Sequence, residues 1–98
     1  LMVQSQSALS LVYSALSDPT RRAMITRLAR GPVSVSALAQ PLNMSLTAAA
    51  KHVRLLERSG IVSTRKTGRV RTCHIDPKRL GLAQDWLAKQ RAVWEERF

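Results

Sequence analysis

The sequence is poor in cysteine, since Cys73 is the only one among 98 residues. It cannot form a disulfide within the chain, and no second cysteine stands at the spacing of a metal site. No apolar run approaches the roughly 18 residues that cross a bilayer. Residues 1–10 also lack the basic segment that precedes the apolar core of a secretory leader. We therefore expect a cytoplasmic protein without disulfides.

Acidic residues are also scarce, with 6 Asp and Glu against 16 Lys and Arg and a formal net charge of +10. The excess is concentrated, because nine of these cations but only two of the acids lie between Lys51 and Arg79. Here the cations alternate with Val, Ile and Leu, which is typical of a charged face on a folded element. The pattern favours a polyanionic partner, and a solvated face that only keeps the protein soluble is the alternative.

Patterns for catalysis and metal binding are missing as well. Asp85, Glu95 and Glu96 form no paired-carboxylate cleft, and no Ser, Cys or His stands in a nucleophile-base arrangement. Cys73 and His74 are neighbours on a predicted strand, so they point to opposite faces and cannot chelate one ion together. We expect neither an enzyme nor a cofactor nor a metal site.

The chain does contain the pattern of one small, mostly helical domain. Residues 4–16 place apolar side chains at three- and four-residue spacings, which predicts a first helix. A second helix is predicted between Asp18, a suitable N-cap followed by Pro19, and Gly31, a suitable stop. Its expected core contacts are Ala23, Met24, Ile25 and Leu28.

A short third helix and a longer fourth helix are predicted next. Ser34 can cap the third helix, and Pro41 limits its length because proline removes a backbone donor. Ser45 can cap the fourth helix, which runs to about residue 59 and stops at Gly60. Two helices joined by a turn of about three residues predict a helix-turn-helix. The side chains expected to point inward from the third helix are Val35, Leu38, Ala39 and Leu42.

The fourth helix has two distinct sides in projection. Its apolar side carries Leu46, Ala49, Ala50, Val53 and Leu56, and its polar stripe consists of Thr47, Lys51, Arg54 and Arg58, flanked by Ala48 and His52. Short side chains followed by hydrogen-bond donors suit a helix that enters the DNA major groove, roughly 12 Å wide. They also bring Ser45 and the amides at the helix N-terminus close to phosphates. The alternative is an ordinary bundle helix in which alanine serves as a good helix former.

Residues 60–77 predict a β-hairpin followed by the start of a final helix. Two β-branched runs flank a turn that contains Gly68, and their alternation places Val62, Cys73 and Ile75 inward. Four cations without an acid crowd the tip of the hairpin, at Arg65, Lys66, Arg69 and Arg71, and phosphate contact is the natural use of such a cluster. Asp76 and Pro77 then start a helix that continues through residue 98. The predicted fold class is mostly α with a small β-hairpin, in the order α-α-α-α-β-β-α.

This order of elements resembles the winged helix-turn-helix, and more closely the arsenical-resistance-repressor (ArsR) family of bacterial regulators. The segments that carry the resemblance are "LSDPTRRAMITRLARG", "VSALAQPLNMSLTAAAKHVRLLERSGIV" and "WLAKQRAVWEERF", which follow one another as in the family. Family members are typically homodimers that bind palindromic operator DNA and repress transcription, and many are released by a metal ion or another inducer. The resemblance implies one winged helix-turn-helix domain over residues 1–98, with double-stranded DNA and a second copy of the chain as partners.

The resemblance also implies which residues contact DNA. The residues that would face the groove are Ser45, Thr47, Ala48, Lys51 and His52, with Arg54 near the backbone, and those on the wing are Arg65, Lys66, Arg69 and Arg71. For His52 the alternative is a hydrogen bond inward to a backbone carbonyl. Ala50 departs from the family pattern, since many members have Ser there, which removes one contact.

The sequence also departs from the family's metal sensors. Thiolate sensors of the family carry a cysteine pair on the third helix, but residues 35–41 read "VSALAQP" and offer no soft ligand. The last helix contains no histidine. We therefore do not expect metal sensing of the family type.

Large apolar side chains near both ends of the chain offer more apolar surface than a core formed by the short middle helices can cover. Exposed patches of this kind usually mark an interface. We expect a homodimer formed through the terminal helices, about 4–16 and 77–98. The residues expected at the interface are Leu9, Val12, Leu16, Trp86, Val93, Trp94 and Phe98. The alternative is that Trp86 and Trp94 fold back onto their own helix-turn-helix.

Two hypotheses for the function follow. The first is a transcriptional repressor that acts as a homodimer on a palindromic operator, with its two recognition helices in successive major grooves about 10 base pairs apart. The second is a winged-helix module that binds RNA or an acidic protein through its basic hairpin.

Overall fold

The fold is described from a computed structural model that covers residues 2–97, with side chains from Ser7 onward. The described chain consists of five α-helices and three short strands, which agrees with the winged helix-turn-helix prediction. In order, they are α1 (Met2–Leu16), α2 (Pro19–Leu28), β1 (Val33–Ser34), α3 (Val35–Ala39), α4 (Leu46–Ser59), β2 (Val62–Thr67), β3 (Val70–Ile75) and α5 (Pro77–Arg97), with a 3-10 turn (Gln40–Leu42) after α3. None of the described helices is both long enough and apolar enough to cross a membrane.

Three helices begin at the N-caps that the sequence predicts. The side chain of Asp18 accepts a hydrogen bond from the backbone N–H of Arg21 at 2.9 Å. Ser34 and Ser45 act in the same way at the starts of α3 and α4, with distances of 3.1 Å. Each cap satisfies an amide that would otherwise have no partner, and is typically worth about 1 kcal/mol.

The hairpin belongs to a three-stranded antiparallel sheet with the order β1-β3-β2. Strand β1 pairs with β3 through Val33 and Cys73 and through Ser34 and Thr72. The sequence analysis predicted the hairpin but not β1, because two residues are too few to show a strand pattern. Since Ser34 also caps α3, this strand fixes the start of the helix-turn-helix against the hairpin.

The core lies between the helix-turn-helix, α1 and α2, and the base of the hairpin. Its fully buried side chains include Met24, Leu28, Leu38, Leu56 and Ile61. Two leucines that were predicted to point inward are exposed instead, Leu42 by 37% and Leu46 by 57%. Leu42 lies in the 3-10 turn and Leu46 is the first residue of α4, so neither has a neighbouring turn of its own helix to cover it. Ala23, another predicted core contact, is also exposed.

Helix α5 runs beside α1 and then projects beyond the core. The hydroxyl of Tyr13 on α1 donates a hydrogen bond to the carbonyl of Ala83 at 2.9 Å, and the ring of Tyr13 meets Trp86 edge-on with centroids 6.0 Å apart. Every side chain from residue 84 to residue 97 is exposed. The radius of gyration, 15.3 Å, accordingly exceeds the value of about 13 Å for a compact chain of this length.

Candidate nucleic-acid interface

The turn between α3 and α4 sets the direction in which the fourth helix starts. Asn43 adopts a left-handed conformation, with φ of 54°, which asparagine tolerates better than most residues. Its backbone N–H donates to the carbonyl of Gln40 at 3.1 Å, and that of Met44 donates to Ala39 at 3.3 Å. These bonds close the 3-10 turn and place Ser45 where it can start α4.

Helix α4 exposes the polar stripe and buries most of the opposite side, as the projection predicts. Ala49, Val53 and Leu56 are buried. The exposed residues of the stripe are Thr47, Lys51, Arg54 and Arg58, and the partly buried flanking residues are Ala48 and His52. Ser45 is exposed, and because its oxygen already accepts the cap bond from Ala48, its hydroxyl proton is left to donate outward. DNA contact by these residues remains a prediction.

The structure places His52 beside Arg21 and Asp18, which differs from the alternative of a hydrogen bond inward to a backbone carbonyl and leaves its contact with DNA a prediction. Its Nδ1 lies 3.3 Å from Nη1 of Arg21 and 3.9 Å from a carboxylate oxygen of Asp18, and its side chain is 24% exposed. No bond to a backbone carbonyl is found for it among the described residues. The amide of Arg21 lowers the pKa of Asp18, against an opposing effect of burial, and the charges of Arg21 and His52 lower it further.

The hairpin carries its cations at different places, which corrects the expectation that all four crowd the tip. Only Arg69 lies in the two-residue turn, beside Gly68, whose φ of 61° suits glycine. Lys66 stands directly opposite Arg71 on one face of the hairpin. Arg65 belongs to the other face because successive side chains of a strand alternate.

Arg71 leans back toward α4 through a short relay of hydrogen bonds. Its Nη1 donates to the hydroxyl oxygen of Thr64 at 2.8 Å, and that hydroxyl donates to a carboxylate oxygen of Glu57 on α4, also at 2.8 Å. These two hydrogen bonds connect the hairpin to α4. The sequence analysis missed this relay because its three members lie on three different elements.

Cys73 lies beneath this relay and is fully buried. Burial raises the pKa of its thiol to about 11, and the negative charge of Glu57 acts in the same direction, whereas Arg71 acts against it. Cys73 therefore behaves as a small apolar core residue. Among residues 7–97, no cluster of three or more His, Cys, Asp or Glu side chains could hold a metal ion.

Two arginines of α2, Arg21 and Arg22, donate hydrogen bonds to backbone carbonyls at the end of α1. The Nε and Nη2 of Arg21 donate to the carbonyls of Ala15 and Ser14 at 2.9 and 3.0 Å. Arg22 donates to the carbonyl of Leu16 at 2.7 Å. Both guanidinium groups thus satisfy the last carbonyls of α1, where a cation is also favoured by the helix dipole. The sequence signal for this role is a pair of arginines placed soon after a predicted helix end.

Six further exposed cations, which we call together the basic face, are Lys51, Arg54 and Arg58 on α4 and Arg65, Lys66 and Arg69 on the hairpin. Across the described part of the chain, none of these six side chains takes part in an ion pair or a side-chain hydrogen bond. The one ion pair between permanently charged groups there joins Arg91 to Glu95, and the contact of 3.9 Å between His52 and Asp18 is an ion pair only when the imidazole is protonated. No carboxylate of the described residues therefore pairs directly with a cation of the basic face.

A second surface, the apolar face, lies on α1 and α5. Its exposed side chains are Trp86, Leu87, Val93 and Trp94, with exposures between 44% and 63%. Two shallow grooves of about 480 and 450 Å³ run along it, both lined by Tyr13 and Leu87. Leu87 was not among the predicted interface residues.

The residues of α1 that were predicted for the dimer interface are partly or fully buried within their own chain. Leu9 and Leu16 are partly buried against the core. Val12 is fully buried, so it belongs to the core of its own chain and not to an interface, which corrects the prediction. Phe98 lies outside the described residues.

The comparison with known proteins agrees with this architecture. Residues 16–65 match a helix-turn-helix domain family. The structure resembles a solved ArsR family transcriptional regulator with a TM-score of 0.90 and 46% identity, over 95% of this chain and 96% of the other. The chain belongs to the ArsR family of winged helix-turn-helix transcriptional regulators.

Two further proteins resemble the chain, one in sequence and one in fold. The chain is 40% identical over 65 residues to the HTH-type transcriptional regulator Rv2034 of Mycobacterium tuberculosis, an alignment that covers 66% of this chain and 61% of that protein. The aligned part thus spans less than two thirds of the curated relative. A winged helix-turn-helix DNA-binding domain from Mycobacterium bovis, itself homodimeric, shares the fold with a TM-score of 0.74 and 24% identity, over 97% of this chain and 86% of that one.

Proposed function

We propose that this protein is a sequence-specific DNA-binding regulator that represses transcription as a homodimer on a palindromic operator. The observation that carries the proposal is the basic face, whose six exposed cations lie on a slim helix and a cationic hairpin and form no ion pair among the described residues. A duplex presents phosphates and a major groove together, and both parts of the basic face can be used at once.

In this proposal α4 lies in the major groove. Thr47 and Lys51 are exposed on its N-terminal half, and the alanines around them let the helix backbone approach the base edges. Lys51 is suited to the O6 and N7 acceptors of guanine. Ser45 and the amides at the start of the helix face a phosphate.

The hairpin supplies contacts that do not depend on sequence. Arg65, Lys66 and Arg69 are exposed and reach phosphates, which displaces counterions and makes the affinity depend on salt. Arg71 is held by Thr64 and Glu57, so its guanidinium is positioned at the junction of hairpin and α4 before DNA arrives. Arg54, further along α4, contacts the DNA backbone.

The second copy occupies the apolar face. Exposed Trp86, Leu87 and Val93 on a projecting helix make a larger apolar surface than scattered side chains do. A twofold contact there repeats the same residues on both copies and fixes the distance between the two α4 helices. For two half-sites one turn apart, that distance is about 34 Å. A dimer that covers a promoter in this way excludes the polymerase, which is the proposed basis of repression.

Selection of binding sites from random duplexes tests the proposal. We expect enrichment of an inverted repeat with half-sites about 10 base pairs apart. The selected duplex, a scrambled duplex and a structured RNA are then titrated at two salt concentrations. Equal affinity for all three, with a steep salt dependence, would contradict the proposal and favour a general RNA or polyanion binder.

A further inference from the structure

The contact between Arg21 and His52 determines where the imidazole carries its proton. Nη1 of Arg21 lies 3.3 Å from Nδ1 of His52. A guanidinium group has N–H donors and no acceptor, so in this hydrogen bond Nδ1 must be the acceptor. A neutral imidazole whose Nδ1 accepts carries its proton on Nε2.

The Nε2 of His52 is accessible from outside the protein. Every buried side-chain nitrogen or oxygen of the described residues has a hydrogen-bond partner. His52 is only partly buried, and among those residues its Nε2 has no partner, so this nitrogen reaches solvent. In the helical projection His52 flanks the polar stripe of α4, so its Nε2–H group is a donor beside the basic face.

Arg21 is held firmly enough to impose this state. Its Nε and Nη2 are bound to the carbonyls of Ala15 and Ser14 at the end of α1. The guanidinium group is planar and rigid, so two fixed donors also fix the direction of the third. Asp18, the other charged group beside the ring, lies 3.9 Å from Nδ1, beyond hydrogen-bond distance.

We propose that Arg21 is a positioning residue for DNA recognition. It holds His52 in the tautomer that carries the proton on Nε2, and this N–H donates to an acceptor of the bound duplex. Suitable acceptors are a purine N7, the O6 of guanine, the O4 of thymine or a phosphate oxygen. The inference rests on the proposed function, since it names a further contact of the same interface.

The tautomer can be measured without DNA. Long-range proton–nitrogen NMR correlations of ¹⁵N-labelled protein, under mildly alkaline conditions where histidine is ordinarily neutral, distinguish the two forms. We expect the Nε2–H form in the wild type and a mixture of both forms in Arg21→Met. Arg22→Met is the matched control, because it also removes a cap from α1 but has no contact with His52. It should retain the wild-type tautomer.

A double-mutant cycle then links the tautomer to binding. With the selected duplex, Arg21→Met should weaken binding roughly three- to tenfold, as expected for the loss of one hydrogen bond. His52→Gln supplies an amide donor that needs no help from Arg21, so adding Arg21→Met to it should have little further effect. If Arg21 acts only by capping α1, the loss is the same in both backgrounds.

The outcomes separate this proposal from the proposed function. An Nδ1–H form in the wild type overturns the inference whether or not any variant folds. Specific binding by the wild type together with no effect of His52→Ala also overturns it, but leaves the proposed function standing. A wild type with the expected tautomer that binds no duplex overturns both. When His52→Ala does weaken binding, methylphosphonate and base-analogue duplexes distinguish a phosphate acceptor from a base acceptor.

Discussion

Folding leaves both the basic face and the apolar face exposed to water, but the energetic cost of that exposure differs between them. The exposed cations of the basic face, such as Lys51 and Arg69, are solvated by water and salt at little cost. The exposed Trp86 and Leu87 of the apolar face have no such substitute, because water itself makes their exposure unfavourable. We therefore expect the basic face to respond to ionic strength and the apolar face to protein concentration.

The largest predicted effect comes from a charge on the apolar face. Leu87→Glu should convert the dimer to a monomer, because a charged carboxylate would have to lose its water in an apolar contact. Affinity for the selected duplex should fall by about a hundredfold or more, since the two half-sites are no longer bound as one unit. Light scattering and a binding titration measure the two effects.

Ala92→Glu is the matched control for that variant. It introduces the same charge on the same helix, at an exposed position that points away from Trp86 and Leu87. It should leave both the dimer and the affinity nearly unchanged. Equal effects of the two variants would show that added charge, and not the apolar face, was responsible.

The next effect in size concerns specificity on the basic face. Lys51→Ala should reduce binding to the selected duplex by about 1–3 kcal/mol while sparing most of the binding to a scrambled duplex. Arg30→Ala, at an exposed arginine after α2 that belongs to neither face, is the control for loss of one positive charge. An unchanged ratio between the two duplexes would remove Lys51 from the set of base-reading residues.

A smaller effect is expected from the hairpin. The double variant Arg69→Ala with Arg71→Ala should weaken binding to all duplexes about equally and lower the salt slope by roughly 1 to 2. Titrations over a range of salt concentrations measure this slope. A loss of sequence preference with the general affinity intact would place these arginines on bases and not on phosphates.

The smallest predicted effect is on the reactivity of Cys73, a buried residue of strand β3. Because burial raises its pKa to about 11 from 9.0, its thiol stays protonated at neutral pH and should not react with an alkylating reagent until the protein opens. The raised pKa also means that the contribution of this thiol to stability is complete below pH 9 and is lost as the pH rises through about 11. Mass spectrometry after timed alkylation measures the reaction, and rapid labelling of the native protein would contradict the burial.

The parts of the structure that the sequence predicts correctly are those set by local chemistry. Ser45 caps α4 and Gly60 ends it because each needs only its immediate neighbours, and the stripe through Lys51 follows from helical periodicity alone. Long-range contacts were not predictable in the same way. Arg21 meets His52 across 31 residues of sequence, and Tyr13 meets Ala83 across 70.

Burial at the ends of elements was also difficult to predict from pattern. Leu46 belongs to the apolar side of α4 in projection, yet it is exposed because it is the first residue of the helix. Val12 has the same character as Leu11, its neighbour on α1, but only the packed structure shows that one is in the core and the other at the surface. Periodicity gives the side of a helix, and the neighbouring elements decide how much of that side is covered.

The central claim is that the two faces have two different occupants, a DNA duplex and a second copy of the chain. Native mass spectrometry of the wild type, alone and with the selected duplex, tests both at once. We expect a dimer without DNA and two chains on each duplex, with added salt releasing the DNA before it separates the chains. A monomeric wild type that binds the palindrome tightly as one chain per duplex would contradict the account.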